Sequence, residues 1–140
     1  MLLYLDSSVA LRAALPGPAR KSWRQWIDDA AATHDALVSA RLLRTEIVRV
    51  LRREDVPLVE GTRVLSRIRL IALTDQTFVV AESIERHVTT LDALHLATAL
   101  VLGRPLRLAT HDATMAEVAT ALGLATFDPV GEDNRPITPA

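Results

Sequence analysis

Five short apolar runs, none longer than five residues, are spaced along the chain, and helical patterns fill the intervals between them. Leu2 to Leu5 reads as the first buried strand, and Ser7 or Ser8 as the cap of a helix to Leu15, where Pro16-Gly17-Pro18 must stop it. Ala19 to Ala32 suits an amphipathic helix, Ala36 to Ser39 a second strand, and Ala40 to Glu54 a third helix with Leu43, Ile47, Val50 and Leu51 on one face. Pro57 opens another helix to Ser66, Arg69 to Leu73 reads as a strand, and Asp75 to Glu85 is helical again. Thr89 or Thr90 caps the apolar helix Leu91 to Leu102, which Gly103 and Pro105 end. Leu106 to Ala109 is the next strand, Ala113 to Leu122 the last helix, and Leu124 to Phe127 the final strand. Strands alternating with helices require a parallel sheet covered on both faces, an α/β sandwich.

The chain is 140 residues long and 49% hydrophobic, enough for one core and one domain. Its net charge of −1 supplies no global field toward nucleic acid or anionic lipid, so any such binding depends on a local patch. All but one of the 16 basic residues are Arg, which favours planar recognition of carboxylate or phosphate, although coding-DNA composition produces the same bias. The absence of cysteine excludes a disulfide scaffold, a thiolate metal site and a Cys nucleophile. Asp6 interrupts the first apolar run and Asp92 lies inside Leu91 to Leu102, so neither reads as a signal peptide or a membrane span; a cytoplasmic protein is expected.

In a parallel sheet the loops leaving the carboxyl ends of the strands converge on one rim, where ligands bind. Asp6 ends the first strand, Asp112 follows the fourth, and Asp92 lies in the first turn of a covering helix. Glu46 flanks the apolar face of its own helix and reaches the rim from the side. Each acid has a plainer reading: Asp6 and Asp112 as helix caps, and Asp92 as the end of a capping box begun by Thr89. A half-buried Glu46 needs a partner in any case. Together, four carboxylates on one rim repel, and no matched set of Lys or Arg nearby in sequence neutralises them. A divalent cation resolves that repulsion. Mg²⁺ and Mn²⁺ take hard oxygen ligands, and one or two such ions activate water and stabilise charge in phosphoryl displacement. Ser8 and Thr110 place hydroxyls two residues from Asp6 and Asp112, either to orient the acids or to serve in local turns.

At these residues the sequence resembles the PIN domain family, and within it the VapC toxin group of bacterial toxin-antitoxin systems. The stretches "LYLDSSVAL", "LLRTEIVRVLRR", "TTLDALHLATAL" and "LATHDATMAEVATALGL" carry the resemblance, in that order and nearly end to end. It implies a three-layer α/β/α sandwich with a short, mainly parallel central sheet over residues 1–130, leaving 131–140 as a loose tail. It also implies a Mg²⁺- or Mn²⁺-dependent endoribonuclease that leaves 3′-hydroxyl and 5′-phosphate ends. Asp6, Glu46, Asp92 and Asp112 match the acidic quartet, and Ser8 and Thr110 the accompanying hydroxyls. An RNA substrate, a homodimer and a cognate VapB-like antitoxin complete what the resemblance implies. After Asp112 this chain has Ala113-Thr114-Met115, where relatives often carry an Arg, so one phosphate contact is missing.

His95, one turn beyond Asp92 on an apolar helix, reads as a hydrogen-bonded core histidine; His111 as a loop residue near substrate; His34 and His87 as helix-end residues. The Arg residues around Glu46 form a solvated face from which one or two reach RNA phosphates. Trp23, Trp26 and Ile27 read first as core and second as a partner groove or dimer seam. The lone Lys21 lies far from the acids, which argues against a phospho-receiver, and Asp6-Ser7-Ser8 lacks the second Asp of an aspartate phosphatase. A catalytically silent binding module has no use for four clustered acids, whereas an RNA-processing nuclease without an antitoxin stays open as an alternative.

Overall fold

The computed structural model describes residues 1–137. The elements are β1 (Leu2–Leu5), α1 (Ser7–Ala14), α2 (Arg20–Thr33), β2 (Leu37–Ala40), α3 (Leu42–Arg53), α4 (Val59–Leu65), β3 (Arg69–Ile71), α5 (Asp75–Glu82), α6 (Thr90–Leu102), β4 (Leu106–Ala109), α7 (Ala113–Ala121) and β5 (Ala125–Phe127). All five strands pair in parallel, in the order β3-β2-β1-β4-β5.

The period-2 geometry of a strand divides β1 between two cores. Leu3 and Leu5 pack with Val9, Trp23, Ile27, Leu43 and Ile47 of the α1, α2 and α3 layer. Leu2 and Tyr4 face the other way, against Leu96 and Ala99 of α6 and Met115 and Val118 of α7. A sheet with helices on both faces results, the three-layer α/β/α sandwich that the strand and helix alternation requires.

Several boundaries differ from those the sequence predicts. Helix α1 begins at Ser7, so Asp6 and not a serine stands at its N-cap, and the Asp6 side chain makes no capping bond. Ala40 stays in the sheet, paired with Ile71, which delays α3 to Leu42 and limits β3 to the residues with a partner in β2. Helix α5 closes at Glu82, where the Ser83 hydroxyl turns back to the Val80 carbonyl at 2.6 Å, and His87 therefore lies in the loop before α6. Other ends follow their signals. Thr89 Oγ1 caps α6 by accepting from the Asp92 amide at 3.2 Å, and Gly103 ends it with φ of 60°, a left-handed conformation that favours glycine.

The C-terminal segment departs from a loose tail over its described part. Val130 bridges Pro136, the Gly131 amide donates to Arg135 O at 2.7 Å, and the Ile137 amide donates to Pro129 O at 2.7 Å. The indole N–H groups of Trp23 and Trp26 donate to Asn134 O and Ile137 O at 2.7 and 3.0 Å. The Trp pair is thus core on its ring faces and a clamp for the tail at its edges. Residues 138–140 lie outside the described residues.

Candidate active site

Strand β1 has β2 on one side and β4 on the other, so the strand order reverses between β1 and β4. The carboxyl ends of two such strands open a crevice in which parallel α/β sheets bind ligands. Asp6 is the first residue past β1, and its amide donates to Ala109 O at 3.1 Å, extending the β1–β4 pairing by one step. Thr110 is the first residue past β4, pinned in turn by its amide to Phe127 O at 3.2 Å. Pairing alone therefore brings residues 104 positions apart side by side.

Asp6 is 3% exposed, and Ser8 and Thr110 hold one of its two carboxylate oxygens. The Ser8 hydroxyl donates to Oδ2 at 2.7 Å and the Thr110 hydroxyl at 2.9 Å. Both hydroxyl oxygens accept backbone protons from the other side, Ser8 Oγ from the His111 amide at 3.0 Å and Thr110 Oγ1 from the Asp112 amide at 3.1 Å. Each hydroxyl has one proton, so those amide bonds commit it to Asp6. Oδ1, by contrast, is buried without any hydrogen-bond partner, the one such side-chain atom among the described residues. A buried carboxylate oxygen left bare is costly unless a cation or a donor meets it.

Asp112 caps α7, its Oδ1 accepting from the Met115 amide at 3.0 Å. Asp92 is partly buried in the first turn of α6. Burial and then the Asp6 charge raise its carboxyl above the ordinary Asp range; Asp112 adds to this, while Thr89 and His95 oppose it. The charges of Asp6 and Asp112 thus both reach Asp92 from separate parts of the chain.

Glu46 is held differently. His95 Nε2 lies 2.6 Å from Glu46 Oε1, and His95 Nδ1 lies 2.6 Å from the Tyr4 hydroxyl. The Tyr4 oxygen accepts the Ala40 amide at 3.0 Å, and burial drives its acidity far down, so the phenol keeps its proton and donates it to Nδ1. The proton on Nε2 then points at Glu46. His95 is the hydrogen-bonded core histidine that its helix implies, and it is also the partner that Glu46 requires.

The donor set fits a hard divalent cation: carboxylate oxygens, one of them buried and unpaired, in a field that raises the affinity of Asp92 for protons. Among the described residues no three His, Cys, Asp or Glu side chains close a ready-made cage, since Glu46 is turned to His95 and Asp112 is engaged in its cap. Two features of the rim escape the sequence. Tyr4 anchors the histidine, and the signal for it is a tyrosine inside an apolar strand, whose hydroxyl must find a partner. Asp128, just past β5, accepts from His111 Nδ1 at 2.8 Å, a pairing that no local pattern announces.

The comparisons with known proteins agree with this architecture. Ribonuclease VapC46 of Mycobacterium tuberculosis (strain ATCC 25618 / H37Rv) is 33% identical over 130 residues, covering 91% of this chain and 97% of that protein. VapBC2 from Rickettsia felis, solved bound to a DNA fragment from its promoter, superposes with a TM-score of 0.70 at 12% identity, over 91% of this chain and 98% of that one. Mycobacterium tuberculosis VapC20, described as a sarcin-ricin loop cleaving toxin, gives 0.66 at 14%, over 91% and 99%. The PIN domain model matches residues 3–121, a span that begins in β1 and ends with α7 and so contains Asp6, Glu46, Asp92 and Asp112. By that match, and by the relative covering nearly its whole length, this chain belongs to the PIN domain family.

Proposed function

We propose that the protein is an endoribonuclease dependent on Mg²⁺ or Mn²⁺, acting as the toxin of a toxin-antitoxin pair. The single observation that carries this reading is the buried Asp6 carboxylate at the switch point, with one oxygen locked by two hydroxyls and the other bare, its charge and that of Asp112 both acting on Asp92. The VapC ribonucleases and VapBC complexes to which the chain is similar support both the RNA substrate and a cognate VapB-type antitoxin.

Asp6, Asp92 and Asp112 would hold the ion, with Glu46 at its margin, and the ion supplies charge neutralisation and water activation for in-line hydrolysis of a phosphodiester. The chain contributes order. Ser8 and Thr110 fix the Asp6 carboxylate plane so that Oδ1 is the oxygen left to bind. The α7 cap fixes Asp112, and the Tyr4–His95 pair fixes Glu46, so none of these side chains needs to be ordered when RNA arrives. No protein nucleophile is required, consistent with a cysteine-free chain.

A homodimer is part of this proposal: Phe78 and Val79 of α5 and Leu91 of α6 are large apolar residues left exposed on adjoining helices. Cytoplasmic action on RNA is proposed as well; among the described residues no helix is long and apolar enough to cross a membrane. The test is cleavage of a mixed-sequence RNA with Mg²⁺ or Mn²⁺, with product ends mapped. Cleavage to 3′-hydroxyl and 5′-phosphate ends, lost in EDTA and in Asp6→Asn, supports the reading. Cleavage that persists in EDTA, or no cleavage with either ion, refutes it.

A further inference from the structure

We propose that the cavity next to Ser8 is a phosphate subsite, in which Arg12 grips the RNA backbone beside the bond that the acids address. This rests on the ribonuclease reading and extends it to a residue outside the acidic set. The cavity has a volume of about 340 Å³, with Ser8, Arg12, Gly17, Arg20 and Asn134 among its walls. It adjoins the site through Ser8, which lines the cavity and whose hydroxyl donates to Asp6.

Arg12 lies four residues beyond Ser8 on α1, about 6 Å along the helix axis. Its Nε donates to the Ser8 carbonyl at 3.0 Å, and its Cζ lies 5.9 Å from the centroid of the Trp23 ring. Trp23 is itself fixed by its indole bond to Asn134 O at 2.7 Å. The guanidinium is therefore held in place with, among the described residues, only Nε committed, which leaves its other N–H donors to grip an anion bidentately. Among the described residues no carboxylate lies within ion-pair distance of it. Asp128 is the acid whose charge reaches it, and that carboxylate is bonded by His111 and by the Val130 amide at 2.9 Å. Burial lowers the Arg12 pKa and Asp128 opposes this, so the cation sits partly desolvated without a neutralising partner. Arg20 adds a second cation on the same wall, 3.8 Å from a Glu60 oxygen that Arg24 already takes at closer range.

Two guanidiniums with no exposed aromatic ring beside them read charge and register, not base identity. A phosphodiester seated at the acids carries its next phosphate along the same strand, and α1 leads from Ser8 to Arg12. This continuity favours an RNA backbone over an acidic peptide, which has no reason to extend toward Asp6. The subsite also supplies a cation that the stretch after Asp112 lacks.

Gly17 gives a clean probe. A Cβ placed there has nothing within 4 Å, and its φ lies outside the left-handed region, so a side chain can be added without strain. The experiment measures binding of a short fluorescent single-stranded RNA by anisotropy, across a salt series, in the full chain carrying Asp6→Asn. Arg12→Gln is expected to weaken binding about tenfold at low salt and to reduce the slope of log affinity against log salt by about 0.7. Gly17→Glu should weaken binding and Gly17→Lys strengthen it, both with unchanged melting temperature. Unchanged affinity and slope in both Arg12→Gln and Gly17→Glu overturn the subsite. So does Arg12-dependent capture of an oligo-glutamate while RNA binding is untouched. Cleavage by the unmutated chain, read in parallel, separates the two proposals. Cleavage with no Arg12 or Gly17 effect removes the subsite alone, whereas Arg12-dependent RNA binding without cleavage removes the nuclease reading alone.

Discussion

His95 Nε2 and Glu46 Oε1 lie 2.6 Å apart, joining α6 on one face of the sheet to α3 on the other. With Tyr4 of β1 at the far ring nitrogen, three elements from separate parts of the chain meet in one hydrogen-bonded line. Its geometry sets where Glu46 points.

Removing the middle of that line leaves two polar groups and a void. His95→Ala should cost about 3 kcal/mol, from the cavity and the unpaired Tyr4 hydroxyl. Urea denaturation checks this. The smaller change Tyr4→Phe should keep the fold and lower the cleavage rate constant at saturating RNA, with little effect on RNA affinity, because it loosens only the orientation of His95 and hence of Glu46. A fall in affinity with an unchanged rate would contradict that role.

The raised pKa of Asp92 makes a pH prediction. The folded chain binds the Asp92 proton more readily than the unfolded chain, so this contribution to stability is fully present below the unfolded pKa and is lost as pH rises through the folded value. Without divalent ions, Asp92→Asn should therefore melt above the parent at neutral pH, and the gain should vanish by about pH 3. Thermal melts across that range read it directly.

On the proposed reading, Ser8 and Thr110 would act on the ion through Asp6. Ser8→Ala and Thr110→Val each free Oδ2 from one hydroxyl, and each should weaken Mn²⁺ affinity by about tenfold or more, as losses of outer-shell partners do. Unchanged affinity in the double variant would mean that the hydroxyls serve only the turn.

Gly61 of α4 lies against α3, where a Cβ would come within 2.9 Å of Ile47 Cγ2 and Leu51 Cδ1. Gly61→Ala should destabilise the chain by about 1 to 3 kcal/mol through overpacking, despite the better helix propensity of Ala. A denaturant midpoint that rises would contradict the close approach.

The strands were legible because apolar runs such as Leu2–Leu5 and Leu106–Ala109 stop at polar or turn residues, and the covering helices because Leu43, Ile47 and Leu51 repeat on one face. Parallel pairing then places Asp6 near Thr110 and Asp112 whatever the detail. What the sequence hides depends on single atoms. Asp6 stands where a capping residue belongs, yet its carboxylate accepts from the Ser8 and Thr110 hydroxyls and from no backbone amide of α1. The segment from Gly131 lacks core-forming residues, yet backbone carbonyls at Asn134 and Ile137 satisfy the indole N–H groups of Trp23 and Trp26. Composition is blind to both, since the first is a choice between acceptors and the second uses main chain.

Calorimetric titration of Mn²⁺ into the metal-free chain, beside Asp6→Asn, addresses the bare Asp6 oxygen most directly. Saturable uptake by the parent, abolished or strongly weakened in the variant, is expected. Equal heats in the two chains, or no uptake by either, would contradict a cation at the heart of this site.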